Sequence, residues 1–184
     1  MKLYIPVLWV ALIALCPLAG CSPGSGLPEL AAKPDVSYHL GPGDSVLIRV
    51  LGADELNGQY TVQDDGTIRM LLIGSAPAAG LTADQVQASI EEKLRAGRYL
   101  TQPHASVAII TYRPYYILGE VAGPGGYPYV SGMNVLSAVA AAHGYTYRAN
   151  QNFVILTRNG EESKADIMSP IRPDDIIRVP ERYF

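Results

Sequence analysis

Residues that could do chemistry are few and scattered in this chain of 184 residues. Asp64-Asp65 and Asp174-Asp175 are adjacent carboxylates, the residue type that general acid–base hydrolysis employs. A glycosidase pair must converge across a bond at roughly 5–9.5 Å, whereas neighbours in extended chain point to opposite faces. Turn formation explains both pairs more simply. His39, His104 and His143 are isolated, with no H-x-H, H-E-x-x-H or cysteine partner, so metal-ligand spacing is missing. His143 precedes a helix-stopping Gly144, where a cation suits the helix C-terminus. No serine stands in G-x-S-x-G. Gly123-Pro124-Gly125-Gly126 lacks the Gly-Lys-Ser/Thr of a phosphate loop, and Gly41-Pro42-Gly43 lacks the third glycine of a dinucleotide fingerprint. The expectation is no catalytic residue, no metal and no cofactor. Tyrosine is the one surplus: twelve, against one Trp and two Phe, grouped at 112, 115 and 116, at 127 and 129, and at 145 and 147. A ring with a polar tip suits sugar stacking or a subunit interface, and it fills strands equally well. The segment 119–129, dense in Gly and Pro, is expected to be exposed, with Tyr127 and Tyr129 at an interface.

The charge balance excludes a nucleic-acid partner, because Lys+Arg is 14 against Asp+Glu 17 and the basic residues are dispersed. The N-terminus carries a different signal. Met1-Lys2 precedes an uncharged apolar run over 3–16, and Pro17-Leu18-Ala19-Gly20-Cys21 follows. A short basic start, an apolar stretch and small residues before a cut describe a secretory signal peptide. Pro17 and Gly20 interrupt the run before the roughly 20 residues that a spanning helix needs. Leu18-Ala19-Gly20-Cys21 also resembles the bacterial lipobox, which implies cleavage between Gly20 and Cys21 and lipid on the Cys21 thiol. Ser22 after it favours the outer membrane by the same resemblance.

Short strands dominate from Tyr38 onward. Val46, Ile48 and Val50 alternate with Leu47, Arg49 and Leu51, as in a strand apolar on both faces. Asp64-Asp65-Gly66 lies between β-rich runs at 60–62 and 67–72, which is a hairpin signal. Thr82 with Gln85 three residues on forms a capping box, and Leu81 with Val86 a hydrophobic staple. The helix that follows has Val86, Ile90 and Leu94 as its apolar stripe, a Glu91–Arg95 pair outside, and Gly97 as its stop. Strands are expected over 106–111, 115–121, 153–158 and 175–179, with a tight loop at 123–126, a helix over 134–143 and a turn at Asn159-Gly160. Pro42-Gly43-Asp44 and Pro173-Asp174-Asp175 echo one another, each before an apolar strand. Proline fixes φ, and the Asp carboxylate can accept from N–H groups two residues on, so the motif launches a strand at a set angle. The fold class is α+β in two small domains.

Those motifs, taken in order, resemble the bacterial polysaccharide biosynthesis/export family of outer-membrane lipoproteins. Tyr38-His39-Leu40-Gly41-Pro42-Gly43-Asp44 matches its opening. Asp65-Gly66 with Ile68, then Leu72-Ile73-Gly74 and Ala79-Gly80-Leu81-Thr82, continue its first domain. Gly119-Glu120-Val121, Pro124-Gly125 and Tyr127 resemble the start of its second module, the soluble-ligand-binding β-grasp (SLBB) domain, which Asp175-Ile176-Ile177 closes. The resemblance implies a signal peptide over 1–20, a lipidated Cys and tether over 21–37, an export domain over 38–113 and an SLBB domain over 114–184. Departures are local: Arg172-Pro173-Asp174-Asp175 stands where the family has Pro-Gly-Asp. By the same resemblance the chain is expected to belong to the family's short subgroup, without a C-terminal amphipathic helix.

The resemblance further implies a homo-oligomeric ring around an exported capsular or exopolysaccharide, anchored by lipid on the periplasmic side of the outer membrane. An inner-membrane polysaccharide co-polymerase would dock below, and a separate outer-membrane β-barrel would supply the last pore. The alternative is a periplasmic glycan-binding lipoprotein that makes no channel, and a third reading is a polysaccharide-processing enzyme.

Overall fold

The structure, a computed structural model, describes residues 26, 28, 29 and 37–182. The signal-peptide and lipobox residues, Gly20 and Cys21 among them, lie outside the described residues. The chain is α+β, with two separate hydrophobic cores.

The first core is built on β1 (Ser45–Val50), the middle strand of a three-stranded antiparallel sheet. It pairs with β2 (Gly58–Thr61) on one side and with β5 (Ala105–Thr111) on the other. Val46, Ile48 and Val50 are buried on one face, while Leu47 is half-buried and Arg49 exposed. The strand is therefore covered on one side only, not on both as the mixed apolar pattern suggests. The turn at Asp64-Asp65-Gly66 closes with a Gln63 N–H donating to Thr67 O at 2.8 Å. Its flanking strands diverge instead of forming a ladder: β2 joins β1, and β3 (Thr67–Met70) pairs with β4 (Gly74–Pro77) as a separate two-stranded sheet.

Helix α1 (Ala83–Ala96) packs Val86, Ile90 and Leu94 into this core. Thr82 Oγ1 accepts from Gln85 N, and Gln85 Oε1 accepts from Thr82 N at 2.9 Å. Such a cap is worth about 1 kcal/mol. The outer pairing is Arg95 with Glu92, not with Glu91. Glu91 instead accepts from the Ala105 N–H at 2.9 Å, fastening the helix to the start of β5. Leaving that part-buried N–H unsatisfied would cost about 1–3 kcal/mol, more than an exposed ion pair gains. Gly97 caps the helix in right-handed conformation (φ −72°), and Arg98 takes the left-handed position (φ 58°). A Cβ at 97 would sit 2.4 Å from the exposed Tyr99 ring, which would have to swing aside.

The second core lies under a five-stranded sheet of order β7-β6-β10-β8-β9. Its strands are β6 (Tyr115–Gly119), β7 (Gly125–Tyr127), β8 (Val154–Arg158), β9 (Glu161–Ala165) and β10 (Ile176–Val179). β10 runs parallel to β6 and antiparallel to β8. The glycine run expected as a loop is partly strand, since Gly125 and Gly126 oppose Ile117 and Tyr116. Asn159 (φ 52°) and Gly160 (φ 82°) form the two-residue, doubly left-handed turn between β8 and β9. Helix α2 (Val135–Ala141), capped by Asn134, covers the sheet with Val135, Ala138 and Val139. Outside this body, Pro28 and Glu29 lie against β9. The Lys164 N–H donates to Pro28 O at 2.8 Å, and Glu29 makes a parallel bridge with Lys164.

Two left-handed glycines differ in their surroundings, and that sets an expected contrast. A Cβ on Gly119 (φ 86°) would lie 2.1 Å from Val179 O, which is backbone in the central strand, while one on Gly160 would meet nothing. Gly160→Ala should cost about 1 kcal/mol for its left-handed φ alone. Gly119→Ala should cost more than about 3 kcal/mol, measured by urea unfolding of the two variants side by side.

Candidate functional site

The two echoed motifs fold as the same object. Pro42 and Pro173 hold the second position of a turn, whose third position needs φ above zero. Gly43 fills it at φ 92° and Asp174 at φ 71°, so the Asp that replaces the usual glycine does adopt the left-handed conformation. The following aspartate closes each turn. Asp44 Oδ2 accepts from Gly41 N at 2.8 Å, and Asp175 Oδ2 accepts from Arg172 N at 2.6 Å. Each carboxylate thus reaches back three residues, not forward two. Both are buried, and each has an arginine. Arg158 donates from Nε and Nη2 to the two Asp175 oxygens at 2.9 and 2.7 Å. Arg113 lies over Asp44 with Nε 3.5 Å from Oδ1, and its backbone N–H donates to the same oxygen at 2.9 Å.

The two turns meet at the junction of the two cores, with Tyr112-Arg113-Pro114 between them. Arg113 Nη1 is 3.5 Å from Asp174 Oδ2, and the Asp174 N–H donates to Pro114 O at 3.0 Å. The guanidinium also lies flat against Gly41, where a Cβ would be 2.6 Å from its central carbon. Tyr38 donates to Asp44 at 2.6 Å and accepts from Arg113 Nη2 at 3.3 Å. Burial, and then the bond to the Asp44 carboxylate, push the Tyr38 hydroxyl well above the usual tyrosine range. Burial opposes the charge of Arg113, but Tyr38, Asp44 and Asp174 outweigh it and hold the guanidinium protonated.

Beside this clamp a cleft of about 500 Å³ opens between the domains. Tyr112 bridges it by edge-to-face contacts, 5.0 Å to Tyr38 and 5.3 Å to Tyr129. Arg113, Arg158 and Arg172 line it together with Asp174 and Asp175, and Asp44 lies behind Arg113. Charge is therefore balanced within the site. Among the described residues no group of His, Cys, Asp and Glu lies close enough to hold a metal ion, and no helix is long and apolar enough to cross a membrane. Asp44 and Asp175 have their lone pairs engaged by donors, so besides the exposed Arg172 and Asp174 the cleft offers hydroxyls, ring edges and amides. That inventory suits weak, multiple contacts to a hydroxylated chain.

The other motif residues do not converge here. Asp65 accepts from the Thr67 N–H and hydroxyl, and those bonds lower its carboxyl below the usual range. Gly66 O accepts from Ala78 and Ala79, which ties the turn to the approach of α1. Glu120 accepts from the Thr146 hydroxyl, and Val121 is buried in the second core. Pro124 is exposed, and Gly125 opens β7. Tyr127 is stacked on Tyr115 at 6.0 Å and donates to Gly123 O at 2.6 Å. The tyrosines expected on an exposed loop are thus half-buried within their own fold, Tyr127 in the core and Tyr129 in the cleft. Arg113 and Arg158, which stand in no recognisable motif of their own, complete the site. Their only sequence signal is the paired Asp motif, whose buried carboxylates require partners.

Comparison with known proteins gives the same order of domains. The family described as "Polysaccharide biosynthesis/export protein" matches residues 32–110, and the SLBB domain matches residues 114–165. The exopolysaccharide production protein ExoF of Rhizobium meliloti (strain 1021) is 32% identical over 170 residues, covering 78% of this chain and 40% of that protein. The polysialic acid transport protein KpsD of Escherichia coli is 26% identical over 150 residues, covering 80% of this chain and 26% of that protein. The chain thus spans well under half the length of these relatives.

The donor inventory predicts unequal arginines. Without Arg113, Asp44 keeps three donors; without Arg158, Asp175 keeps only the Arg172 N–H. Arg158→Met should therefore cost about 3 kcal/mol and Arg113→Met about 1 kcal/mol, read from chemical denaturation. Alkaline pH provides another measurement. Burial raises the hydroxyls of Tyr38, Tyr60, Tyr115, Tyr129 and Tyr145 above their ordinary values. The folded state disfavours tyrosinate, so this contribution is intact below the unfolded pKa of about 10 and is lost as pH rises above it. Melting temperature should hold to about pH 9.5 and fall steadily beyond, with tyrosinate absorbance at 295 nm appearing later than in the unfolded chain.

Proposed function

Because the chain belongs to the polysaccharide biosynthesis/export family, we propose that it serves in the export of a capsular or exopolysaccharide as a lipid-anchored part of an oligomeric conduit. The observation that carries this reading is the export domain followed directly by an SLBB domain, in a chain similar to exopolysaccharide production and polysialic acid transport proteins. In it, residues 1–20 are a signal peptide, Cys21 carries lipid, 21–37 join it to the fold, 38–113 are the export domain and 114–184 the SLBB domain. The protein sits on the periplasmic side of the outer membrane. Copies assemble in a ring, with an inner-membrane co-polymerase below and a separate β-barrel above.

A conduit has to release what it touches. The charge-balanced cleft, with Arg113 and Arg158 already paired, supports transit over capture. A second reading is favoured by one observation: the cleft is formed within a single copy, so a monomer could bind a glycan segment without making a channel.

Deleting the gene should lower surface or secreted polymer at least tenfold, assayed as total carbohydrate, and the intact gene should restore it. Cys21→Ser should leave the protein in the soluble periplasmic fraction and restore little. Purified protein in detergent should run as a ring with a central hole by electron microscopy and light scattering. A monomer at high concentration that still binds polymer would replace the conduit with the second reading, and unchanged polymer in the deletion strain would remove both.

A further inference from the structure

Strand β9 is the outer strand of the five-stranded sheet, and an open edge of this kind invites pairing. In this chain the edge is occupied. The Lys164 N–H donates to Pro28 O at 2.8 Å, and Glu29 bridges Lys164 in parallel. Proline suits the position, because its carbonyl satisfies the edge donor while its nitrogen leaves no orphan N–H of its own. On the inner side β9 is held by its five-residue ladder to β8, and the Lys164 ammonium is fixed over the Phe153 ring at 4.7 Å. The donor that the Pro28 carbonyl needs is therefore presented by a rigid strand.

We propose that the Pro28-Glu29 segment is a strap that closes β9, so the stretch after Cys21 is not one free tether to the export domain. The strap shortens the leash. Pro28 is seven residue steps from Cys21 and can lie at most ~25 Å away, whereas Tyr38, seventeen steps away, could lie ~60 Å away. The SLBB sheet edge at Lys164 then faces the membrane at close range. This last consequence rests on the proposed lipidation of Cys21; the strap itself does not.

The test separates the two. In the soluble Cys21→Ser chain, the pair Glu29→Cys with Lys164→Cys should form a disulfide under mild oxidation at least tenfold faster than Glu29→Cys with Ser106→Cys on β5. Equal rates would overturn the strap. A second measurement leaves β9 unaltered: the Lys164 amide should exchange with deuterium at least tenfold more slowly than when residues 22–29 are replaced by a Gly-Ser stretch. Exchange unaffected by that replacement would also overturn it. For the full lipidated chain in phosphatidylethanolamine vesicles, a donor dye on Glu161→Cys should transfer strongly to an acceptor lipid and lose at least half that transfer with the Gly-Ser stretch. Mass spectrometry of the N-terminal peptide reads the lipid directly. A fast Glu29–Lys164 disulfide with no lipid keeps the strap and removes the membrane claim, while lipid with equal disulfide rates keeps the anchor and removes both the strap and the short leash.

Discussion

A buried carboxylate has to meet donors on every side, and this chain meets that requirement twice with one device. An aspartate folds back over a proline turn to the N–H three residues earlier, and an arginine neutralises it. The device launches β1 in the first domain and β10 in the second, both central strands of their sheets. It also sets the angle between the domains. Both turns contact Tyr112-Arg113-Pro114, so the connection is bonded to each side along its length rather than acting as a loose joint. The cleft beside it inherits its shape from that constraint.

The electrostatics follow from the same requirement. Arginines beside a sugar path could hold an acidic polymer firmly, but Arg113 and Arg158 face internal aspartates and have little charge left to offer. Tyr38, Tyr112 and Tyr129 contribute edges and hydroxyls instead. For the proposed role in export, this division of labour places rigidity in the ion pairs and leaves the wall of the cleft weakly adhesive.

Elements defined by local chemistry were legible in the sequence. The capping box of α1, the Asn159-Gly160 turn and the repeated proline motif all appear where their residues place them, because each is a bargain between neighbours in sequence. Choices made by distant partners were not. Glu91 abandons Arg95 for a backbone N–H fourteen residues away. The strands flanking Asp65-Gly66 part company, because β2 pairs with β1 and β3 with β4, partners that lie outside the turn. Gly97 reads as the conformational stop, yet it stays right-handed and Arg98 takes the left-handed position. The site was half legible for the same reason: its aspartates sit in a recognisable motif, while nothing near Arg113 or Arg158 in sequence announces what they neutralise.

The position of β10 bears on how the molecule comes into being. It lies in the middle of its sheet, between β6 and β8, though it is the latest strand in chain order, and its parallel partner Tyr116 lies sixty residues before Ile176. A chain delivered N-terminus first can assemble the export domain's core while the rest is still being threaded. Its second sheet must wait with a gap at the centre until residue 179 arrives, exposing Ile117 and Leu156 meanwhile. Long-range closure of this kind is slow, and that interval is when the chain has most to protect.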